Sequence, residues 1–405
     1  MTRLPPRLRP LWPVVKRLHR WASLWSGRVG RATRALQGDR RLPRSAALTS
    51  AATAAQEPGT VTFHPAGLGE QLDRTPPSGT PAGHWIFPRR ADVKVRDPYC
   101  LEVAGGIVVG DYAATITPGG ILDHETSQYF GVRDWREHPL FLRRRLPEPT
   151  EFDGTLLVLG TRGAANYYHY LTDVLPRHGV FTDAMPDTRP DAIYVPTGAA
   201  WQRKLLDLAG LGDLPVVEMT KHSTVRASRL LVPSLTNDLE VAPAATVRWV
   251  RDRFRPSGSE PTPRRIYVTR GTTPNTRRVT CEDELVPALE ERGFVVVEPG
   301  GLSPQEQVDV FAGAEVVVAP HGAALTNLLF APEGVRVLEM FTAGYVVECY
   351  WAICQNIPGA QYRYLVAGDV DRHGPGDPMN KVQADVEVDA ATVLAAVDEL
   401  LAAPD

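Results

Sequence analysis

The residues with the clearest chemical potential are a histidine and an aspartate four positions apart. His169 and Asp173 follow Asn166 at spacings that put all three side chains on one face of a helix. A carboxylate within reach of a hydroxyl group can act as a general base, and a neighbouring histidine can tune or replace it. We interpret Asp173 as the base, with His169 as the alternative. The competing interpretation is structural, with Asn166 capping the helix and His169 hydrogen-bonded to Asp173.

A second group of residues suits the binding of an anion. Residues 313–341 have the pattern of strand, turn, helix and strand, and the turn contains His321 and Gly322. The first amide groups of the helix lack intrahelical partners and carry the positive end of its dipole, so a diphosphate fits there. Gly322 and Ala323 leave room for close approach, and His321 adds a donor. An ordinary strand–helix–strand unit without a ligand is the alternative.

Arginines follow the strand predicted at residues 265–269. Arg270 ends this strand, and Arg277 and Arg278 come one short loop later. Guanidinium groups bind phosphate oxygens in a bidentate manner. Together with the anion site, these arginines indicate phosphate binding, whereas any one of them alone would be read as a solvated charge.

The elements that must position these residues alternate regularly between strand and helix. The first alternation starts with a strand at 155–160, a helix at 166–181 and a strand at 193–195, and a second alternation starts at 265. The sequence predicts an α/β fold of two Rossmann-like domains facing across a cleft (GT-B type), with an N-terminal β-rich extension. The predicted divisions are an N-terminal segment and linker (1–60), a first domain (61–256), a second domain (262–365) and a C-terminal loop and helix (366–405).

Composition limits the classes of function. A chain of 405 residues suits two α/β domains, and a net charge of −3 gives no general attraction to nucleic acid. The four cysteines have no zinc-site spacing, which favours a reduced cytoplasmic compartment. No apolar run reaches the roughly 18–20 residues of a membrane-spanning helix.

The N-terminal 45 residues are rich in arginine and contain a single acid, Asp39. On a helix, apolar residues that include Leu18 and Trp25 share one face, opposite a basic face. This pattern over residues 10–37 predicts peripheral contact with a membrane surface. A disordered basic tail, or upstream sequence translated from a misplaced start, is the alternative.

Three short segments are interpreted as irregular structure. Residues 45–60, rich in Ala, Ser, Thr and Gly, are predicted to form a flexible linker. Asp123, His124 and Glu125 are predicted to lie in a solvated turn rather than in a metal site. Asp369 and Asp371 match a DxD metal motif, but they follow both alternations, so a surface loop is predicted.

The order and spacing of several motifs resemble glycosyltransferase family 61. The resemblance covers about residues 100–345. Its motifs are NxxHxxxD with LPR at 166–177, YVTR at 267–270, RR at 277–278, SPQEQ at 303–307 and HGAALTN followed by LE at 321–339. Position 269 is Thr where relatives often have Ser.

The resemblance implies an inverting glycosyltransferase that uses a nucleotide sugar and needs no metal or other cofactor. It implies a glycan or lipid-linked glycan acceptor, a role in capsular or other cell-surface polysaccharide synthesis, and a cytoplasmic site of action. By this resemblance, 61–256 is the acceptor-side domain and 262–365 is the nucleotide-sugar-binding domain. Asn166 and Arg177 would face the acceptor, beside the catalytic Asp173 and His169. The residues implied on the donor side are Arg270, Arg278, His321, Gly322, Ala323, Asn327 and Glu339, the last holding the ribose. A nucleotide- or glycan-binding protein that has lost the chemistry is the alternative.

Overall fold

A computed structural model of the chain describes residues 12–132, 134–237, 239–258, 262–271, 277–368, 382 and 384–402. Its α-helices within these residues are α1 (Trp12–Ala32), α2 (Ser50–Gln56), α3 (Tyr167–His169), α4 (Arg177–Ala184), α5 (Ala200–Leu208), α6 (Ala244–Arg253), α7 (Glu282–Glu290), α8 (Pro304–Gly313), α9 (Cys349–Cys354) and α10 (Ala390–Ala402). A π-helical turn lies at Tyr170–Val174, and 3₁₀ helices include Pro139–Leu142 and Ala323–Phe330.

The strands of the described residues belong to two large sheets and one small one. They are β1 (Ser45–Ala47), β2 (Val61–Pro65), β3 (Gln71–Asp73), β4 (Ser78–Thr80), β5 (Asp92–Lys94), β6 (Tyr99–Ala104), β7 (Ile107–Val109), β8 (Ala114–Ile116), β9 (Ile121–Asp123), β10 (Thr150–Val158), β11 (Ala192–Val195), β12 (Val216–Glu218), β13 (Thr224–Pro233), β14 (Arg265–Val268), β15 (Val295–Val297), β16 (Val316–Pro320), β17 (Arg336–Thr342) and β18 (Gln361–Ala367).

The first large sheet is parallel in its C-terminal part and largely antiparallel in its N-terminal part, where only the edge pair β1–β9 is parallel among the described strands. The strands β12, β11, β10 and β13 lie side by side and are parallel. Strands β6 and β7 then pair with β13 in the antiparallel direction. When these four strands are numbered in chain order, they lie side by side as 3-2-1-4. The chain adds β11 and β12 on one side of β10 and then returns to place β13 on the other side. We call this point, between β10 and β13, the winding reversal of the sheet. Open α/β sheets bind ligands at such a reversal, beyond the carboxyl ends of the strands.

The second large sheet is parallel throughout, with the order β15, β14, β16, β17, β18 and β4. Its own five strands run 2-1-3-4-5, and the winding reverses between β14 and β16. Every residue of β16 is buried, as expected for a central parallel strand made largely of valine. The predicted mixed α/β class is therefore confirmed.

The two sheets are not separated in sequence as simply as predicted. Strand β4 lies within the predicted 61–256 domain, but it pairs with β18 in the second sheet. Strand β18 itself follows β17 and was not predicted as a strand. One hydrophobic cluster contains side chains of both sheets, from Leu157 of β10 to Val317 of β16. The two halves therefore share packed apolar surface.

The prediction of a flexible linker at 45–60 is wrong. Strand β1 pairs with β9, and α2 is capped by Thr49, whose side chain accepts a hydrogen bond from the Ala52 amide. The hydroxyl groups of Ser50 and Thr53 donate to the Asp123 carboxylate at 2.9 and 2.5 Å. Asp123 is fully buried rather than solvated, so this segment is ordered by the need to pair a buried acid.

The helix predicted over 166–181 is interrupted. Between α3 and α4 the Leu175 amide donates to the Tyr170 carbonyl group at 3.1 Å, five residues back, which defines the π-helical turn. Pro176 then precedes α4. Turns of this type occur often at functional sites, and this one contains Asp173.

The N-terminal prediction of an amphipathic helix agrees with α1, although residues 1–11 lie outside the described residues. Gly27 and Gly30 face the 139–144 segment so closely that an added Cβ would lie 1.8 Å from the Phe141 carbonyl oxygen and 2.6 Å from that of Arg144. No helix in the described part of the chain is long and apolar enough to cross a membrane. The segment containing Asp369 and Asp371 also lies outside the described residues.

Candidate active site

The His169–Asp173 pair lies beyond the carboxyl end of β10, at the winding reversal of the first sheet. Asn166 caps α3 by accepting a hydrogen bond from the Tyr168 amide at 2.8 Å. His169 Nδ1 lies 2.7 Å from Asp173 Oδ2. The two features of the structural interpretation, the cap and the His–Asp hydrogen bond, are therefore present.

The Asp173 carboxylate is fully engaged by neighbouring donors. Its Oδ1 accepts hydrogen bonds from Asn237 Nδ2 at 2.9 Å and from Thr172 Oγ1 at 3.0 Å, and its Oδ2 faces His169. Asn237 follows β13, the strand on the other side of the reversal. Because Asp173 is buried and both its carboxylate oxygens are engaged by protein groups, it is placed to orient His169 rather than to meet a substrate.

The remaining ring nitrogen of His169, Nε2, has no hydrogen-bond partner within the described residues. Burial lowers the pKa of His169, but the hydrogen bond to Asp173, the charge of Asp173 and the charge of Glu240 together raise it above its ordinary value. Arg162 opposes this increase. A raised pKa together with an unengaged Nε2 suits a proton acceptor, so the geometry favours His169 over Asp173 as the base.

The other two residues predicted on the acceptor side differ in their surroundings. Asn166 is exposed at the start of α3. Arg177 is buried, and its guanidinium donates to the carbonyl oxygens of Leu159, Gly160 and Pro233. Burial lowers the pKa of Arg177 to about 10. Arg177 therefore ties α4 to the ends of β10 and β13, and the expected acceptor contact is not supported by its position.

The predicted anion site lies at the winding reversal of the second sheet. His321 and Gly322 follow β16, and Arg270 follows its neighbour β14. A Cβ added to Gly322 would lie 2.2 Å from Arg270 Nη1, so the guanidinium rests against the glycine. Gly322 precedes the 3₁₀ helix Ala323–Phe330, in which Ala323 and Ala324 are half-buried and the later residues are buried. Only the amino-terminal end of this helix is therefore accessible, beside a cation.

A second arginine faces this site, but it is Arg277 rather than the predicted Arg278. The charge of Arg277 acts on His321, Arg270 and Tyr350. The Arg277 Cζ also lies 5.4 Å from the ring centroid of Tyr345. Arg278 is exposed, and its backbone amide donates to Asp385 at 2.9 Å. Two adjacent arginines cannot be distinguished by sequence alone.

Burial of the arginine pair favours anion binding. Burial and the charge of Arg277 lower the pKa of Arg270 to about 10. A bound diphosphate would relieve the repulsion between the two guanidinium groups. Burial, Arg277 and Arg270 also lower the pKa of His321, although Glu339 opposes them.

Glu339 has a different position from the one predicted. It is the fourth residue of the seven-residue strand β17, not its end, and its side chain is 0% exposed. One carboxylate oxygen lies 2.5 Å from His321 Nδ1, and the other accepts from the Tyr362 hydroxyl group. Both oxygens are engaged, so Glu339 orients His321 and is not available to a ribose. His321 Nε2 is consequently a donor only when the ring is protonated.

Asn327 joins the two predicted motifs. Its Oδ1 accepts a hydrogen bond from the Tyr167 hydroxyl group of α3 at 2.8 Å, and its Nδ2 donates to Gln307 of α8 at 2.8 Å. Asn327 is fully buried, which makes it a structural contact between the halves.

A row of aromatic rings extends this contact between the two halves, which we call the junction. Ring centroids are 5.2 Å apart between His321 and Tyr350, 5.8 Å between Tyr350 and Tyr168, and 5.3 Å between Tyr168 and His169. The Tyr168 hydroxyl group also accepts a hydrogen bond from Asn237 Nδ2 at 3.3 Å. The two winding reversals therefore face one region of the molecule.

Several residues of this region were missed in the sequence. Asn237 and Glu240 reach it from the turn after β13 and Tyr350 reaches it from α9, and none of the three belongs to a local pattern that carries chemistry. Within the described residues, no group of three or more His, Cys, Asp or Glu side chains is arranged to hold a metal ion.

Comparison with known proteins supports the resemblance found in the motifs. Residues 167–338 match the family model described as Glycosyltransferase 61, which confirms the family identified from the motifs. No curated protein matches the chain.

Solved structures similar to this chain include two of TibC. One is a dodecameric iron-containing heptosyltransferase in complex with ADP-D-beta-D-heptose. Its sequence is 10% identical, the TM-score is 0.36, and the match covers 85% of this chain and 98% of TibC. The other is the bacterial iron-containing dodecameric glycosyltransferase from enterotoxigenic E. coli, with 9% identity and a TM-score of 0.33 over 89% and 98%.

Proposed function

We propose that this chain, whose residues 167–338 place it in the glycosyltransferase 61 family, transfers a sugar from a nucleotide-sugar donor to a hydroxyl group of a glycan with inversion at the anomeric carbon. The observation that carries the proposal is the junction of the two winding reversals. It brings the His169–Asp173 pair and the Arg270–His321 turn to one region through Tyr168 and Tyr350.

The donor side of the proposed reaction needs positive charge. The leaving nucleoside diphosphate gains negative charge as the glycosidic bond breaks, and interactions that strengthen in the transition state accelerate the reaction. Arg270, Arg277 and the amides at the start of the 3₁₀ helix supply such interactions. We therefore propose transfer that does not depend on a bound metal.

The acceptor side needs one base. In an inverting transfer the acceptor hydroxyl group attacks opposite the leaving group and loses its proton to a base. We propose that His169 Nε2 accepts this proton and that Asp173 holds the ring and stabilises the resulting imidazolium. This proposal reverses the order of the two candidates predicted from the sequence.

The finer architecture and the biological role belong to the proposal as well. The strand orders 3-2-1-4 and 2-1-3-4-5 support the assignment of the two sheets to the two domains of a GT-B fold. With a glycan or lipid-linked glycan as acceptor, the enzyme would act in the synthesis of capsular or other cell-surface polysaccharides. We propose that it acts in the cytoplasm.

We further propose peripheral membrane contact through α1. Its Gly27–Gly30 face packs against the protein, while Leu18, Trp21 and Trp25 are exposed. Arg17 and Arg20 are also exposed on this helix, which suits a surface of anionic lipid headgroups.

The donor site can be tested with a matched pair of variants. A thermal-shift screen of nucleoside diphosphates should find one that stabilises the wild-type protein, because a ligand that binds only the native state raises the melting temperature. Arg277→Ala should abolish most of that shift, and Arg278→Ala should keep it. Equal loss in both variants, or no shift with any nucleoside diphosphate, would contradict the assigned site.

The alternative function is binding without catalysis. Turnover separates the two: release of nucleoside diphosphate from a nucleotide sugar, in the presence of EDTA, should be detectable with wild type and lost in His169→Gln. A protein that binds the nucleotide but shows no release under any acceptor condition would be a binding protein. Release that disappears on addition of EDTA would contradict metal independence.

A further inference from the structure

Glu240 occupies an unusual backbone position next to His169. Its φ of 58° lies in the left-handed region, which residues with a Cβ adopt at a cost, and Ala242 two positions later has a φ of 45°. Backbone strain of this kind persists only where the surrounding structure enforces it, and it is concentrated at functional sites.

The turn that contains Glu240 is held from several directions. Asn237 Oδ1 accepts a hydrogen bond from the Ala242 amide at 2.8 Å. The Ala242 carbonyl oxygen accepts from Arg74 Nη2 at 3.1 Å and from Asn356 Nδ2 at 2.9 Å. Arg74 is buried, so its contact with the turn is a fixed part of the core. These bonds account for how the strain is maintained, but none of them involves the Glu240 side chain.

The Glu240 carboxylate has no hydrogen-bond or ion-pair partner in the part of the chain that the structure describes. Burial raises the pKa of Glu240, the charge of His169 opposes this, and Asp173 and Glu348 raise it further. A half-buried carboxylate without a donor is unfavourable unless a ligand supplies one. Structural stability alone therefore does not account for an acid at this position.

Phe130 flanks His169 on another side. Its ring centroid lies 5.3 Å from that of His169, and the Arg162 Cζ lies 4.6 Å from the Phe130 centroid. Both rings rest over Gly163, where an added Cβ would lie 2.7 Å from His169 Cδ2 and 3.1 Å from Phe130 Cζ. Phe130 is nevertheless 45% exposed, so part of its surface faces solvent beside the proposed base.

We propose that Phe130 and Glu240 form a subsite that binds one pyranose ring of the acceptor and presents its hydroxyl group to His169 Nε2. A pyranose has an apolar C–H face, which packs on an aromatic ring, and hydroxyl groups at its edge, which donate to a carboxylate. This inference rests on the proposed function. It goes beyond it because it names the two residues that bind the acceptor ring and position its hydroxyl group.

The acceptor class is tested by the choice of acceptor probe. Release of nucleoside diphosphate by the wild-type protein should increase with methyl or p-nitrophenyl pyranosides and should not increase with a serine-containing peptide or a simple lipid alcohol. Stimulation by the peptide or the alcohol to the same extent would overturn the subsite. A wild-type protein that shows no release with any probe would instead contradict the proposed function itself.

The role of Glu240 is tested with two substitutions. Glu240→Gln removes the charge, and we expect kcat/KM for the pyranoside to fall about 10- to 100-fold, mainly through KM, while the Kd of the nucleoside diphosphate is unchanged. Glu240→Gly should cause the same loss with a melting temperature that is equal or higher, because glycine adopts the left-handed conformation freely. Pyranoside kinetics equal to wild type in both variants would overturn the role of Glu240.

Phe130 has a matched control in its neighbour. Tyr129 is 38% exposed, but its ring faces Tyr112 and His138 at centroid distances of 6.0 Å each. Phe130→Ala should raise the KM for the pyranoside about tenfold, whereas Tyr129→Ala should leave it within twofold. Equal effects of the two substitutions would show a general effect of this loop and would overturn the assignment of Phe130.

Discussion

Replacing Asp173 by asparagine should inactivate the protein by changing the tautomer of His169. The substitution keeps the shape of the side chain. Asn237 Nδ2 donates to Oδ1 of residue 173 at 2.9 Å, and Asn237 cannot turn round because its own Oδ1 accepts from the Ala242 amide at 2.8 Å. The new amide must therefore point its oxygen at Asn237 and its NH₂ group at His169 Nδ1. The His169 ring then carries its proton on Nε2, where the acceptor proton should be received.

The expected loss can be estimated from these contacts. The opposite orientation of the amide would bring two NH₂ groups together and leave a buried donor unpaired, at a cost of about 1–3 kcal/mol. The unproductive tautomer therefore dominates, and the transfer rate should fall about 10³- to 10⁴-fold, as when a catalytic dyad loses its carboxylate. The melting temperature should change little, because the hydrogen bond from Asn237 remains.

The assay is the initial rate of nucleoside diphosphate release with saturating donor and a pyranoside acceptor. Asp183→Asn, an exposed acid of α4, is the control and should retain the wild-type rate. An Asp173→Asn rate within tenfold of wild type would refute the reasoning. A His169→Gln variant that remains active while Asp173→Asn is inactive would show that Asp173 itself is the base.

The remaining predictions concern pH, the donor site, the junction and the membrane. The transfer rate should fall as the pH is lowered, with the midpoint of this fall above pH 6.5, because His169 must be neutral to accept a proton and its pKa is raised. A midpoint below about pH 6 would contradict the assignment of His169 as the base. Gly322→Ala should raise the KM for the donor about tenfold or more, because the added methyl group displaces the Arg270 guanidinium. The melting temperature should change little, because a φ of 177° suits any residue. An unchanged KM for the donor would show that the donor does not bind beside Gly322. Tyr167→Phe should lower the free energy of unfolding by about 1 kcal/mol in urea titrations, through loss of the bond to Asn327, and no change would mean that this bond is replaced by water. Trp21→Ser should weaken sedimentation with anionic vesicles roughly tenfold, since this side chain is 66% exposed on α1, and equal binding of both proteins would exclude it from the contact.

The membrane experiment calls for a point substitution rather than removal of the N-terminal segment. Leu42 is fully buried, and β1 pairs with β9 immediately after it. Deletion of residues 1–45 would remove part of the core. A loss of vesicle binding by the truncated protein would then not distinguish a lost anchor from a damaged fold.

Local sequence patterns predicted many of the elements. The buried strand β16 and the capped helix α8 follow from local sequence, because a run of valine and a Ser303–Glu306 capping box depend only on near neighbours. The family followed from motifs for the same reason, since each motif is a short run with fixed spacing. The order in which helix and strand alternate was likewise contained in local apolar patterns.

Only the tertiary structure decided which of the predicted polar residues face the proposed site. Arg177, Asn327 and Glu339 all looked chemically capable, but each is buried with its polar atoms engaged by the protein. Conversely, Arg277 and Glu240 reach the site from turns with left-handed backbone conformations. The sequence by itself determined most of the strand–helix alternation and the motifs that carry the family resemblance, because both are runs of residues close along the chain. Which polar side chains face the proposed site was decided by packing between residues tens to hundreds of positions apart, and a local sequence pattern contains no information about that packing.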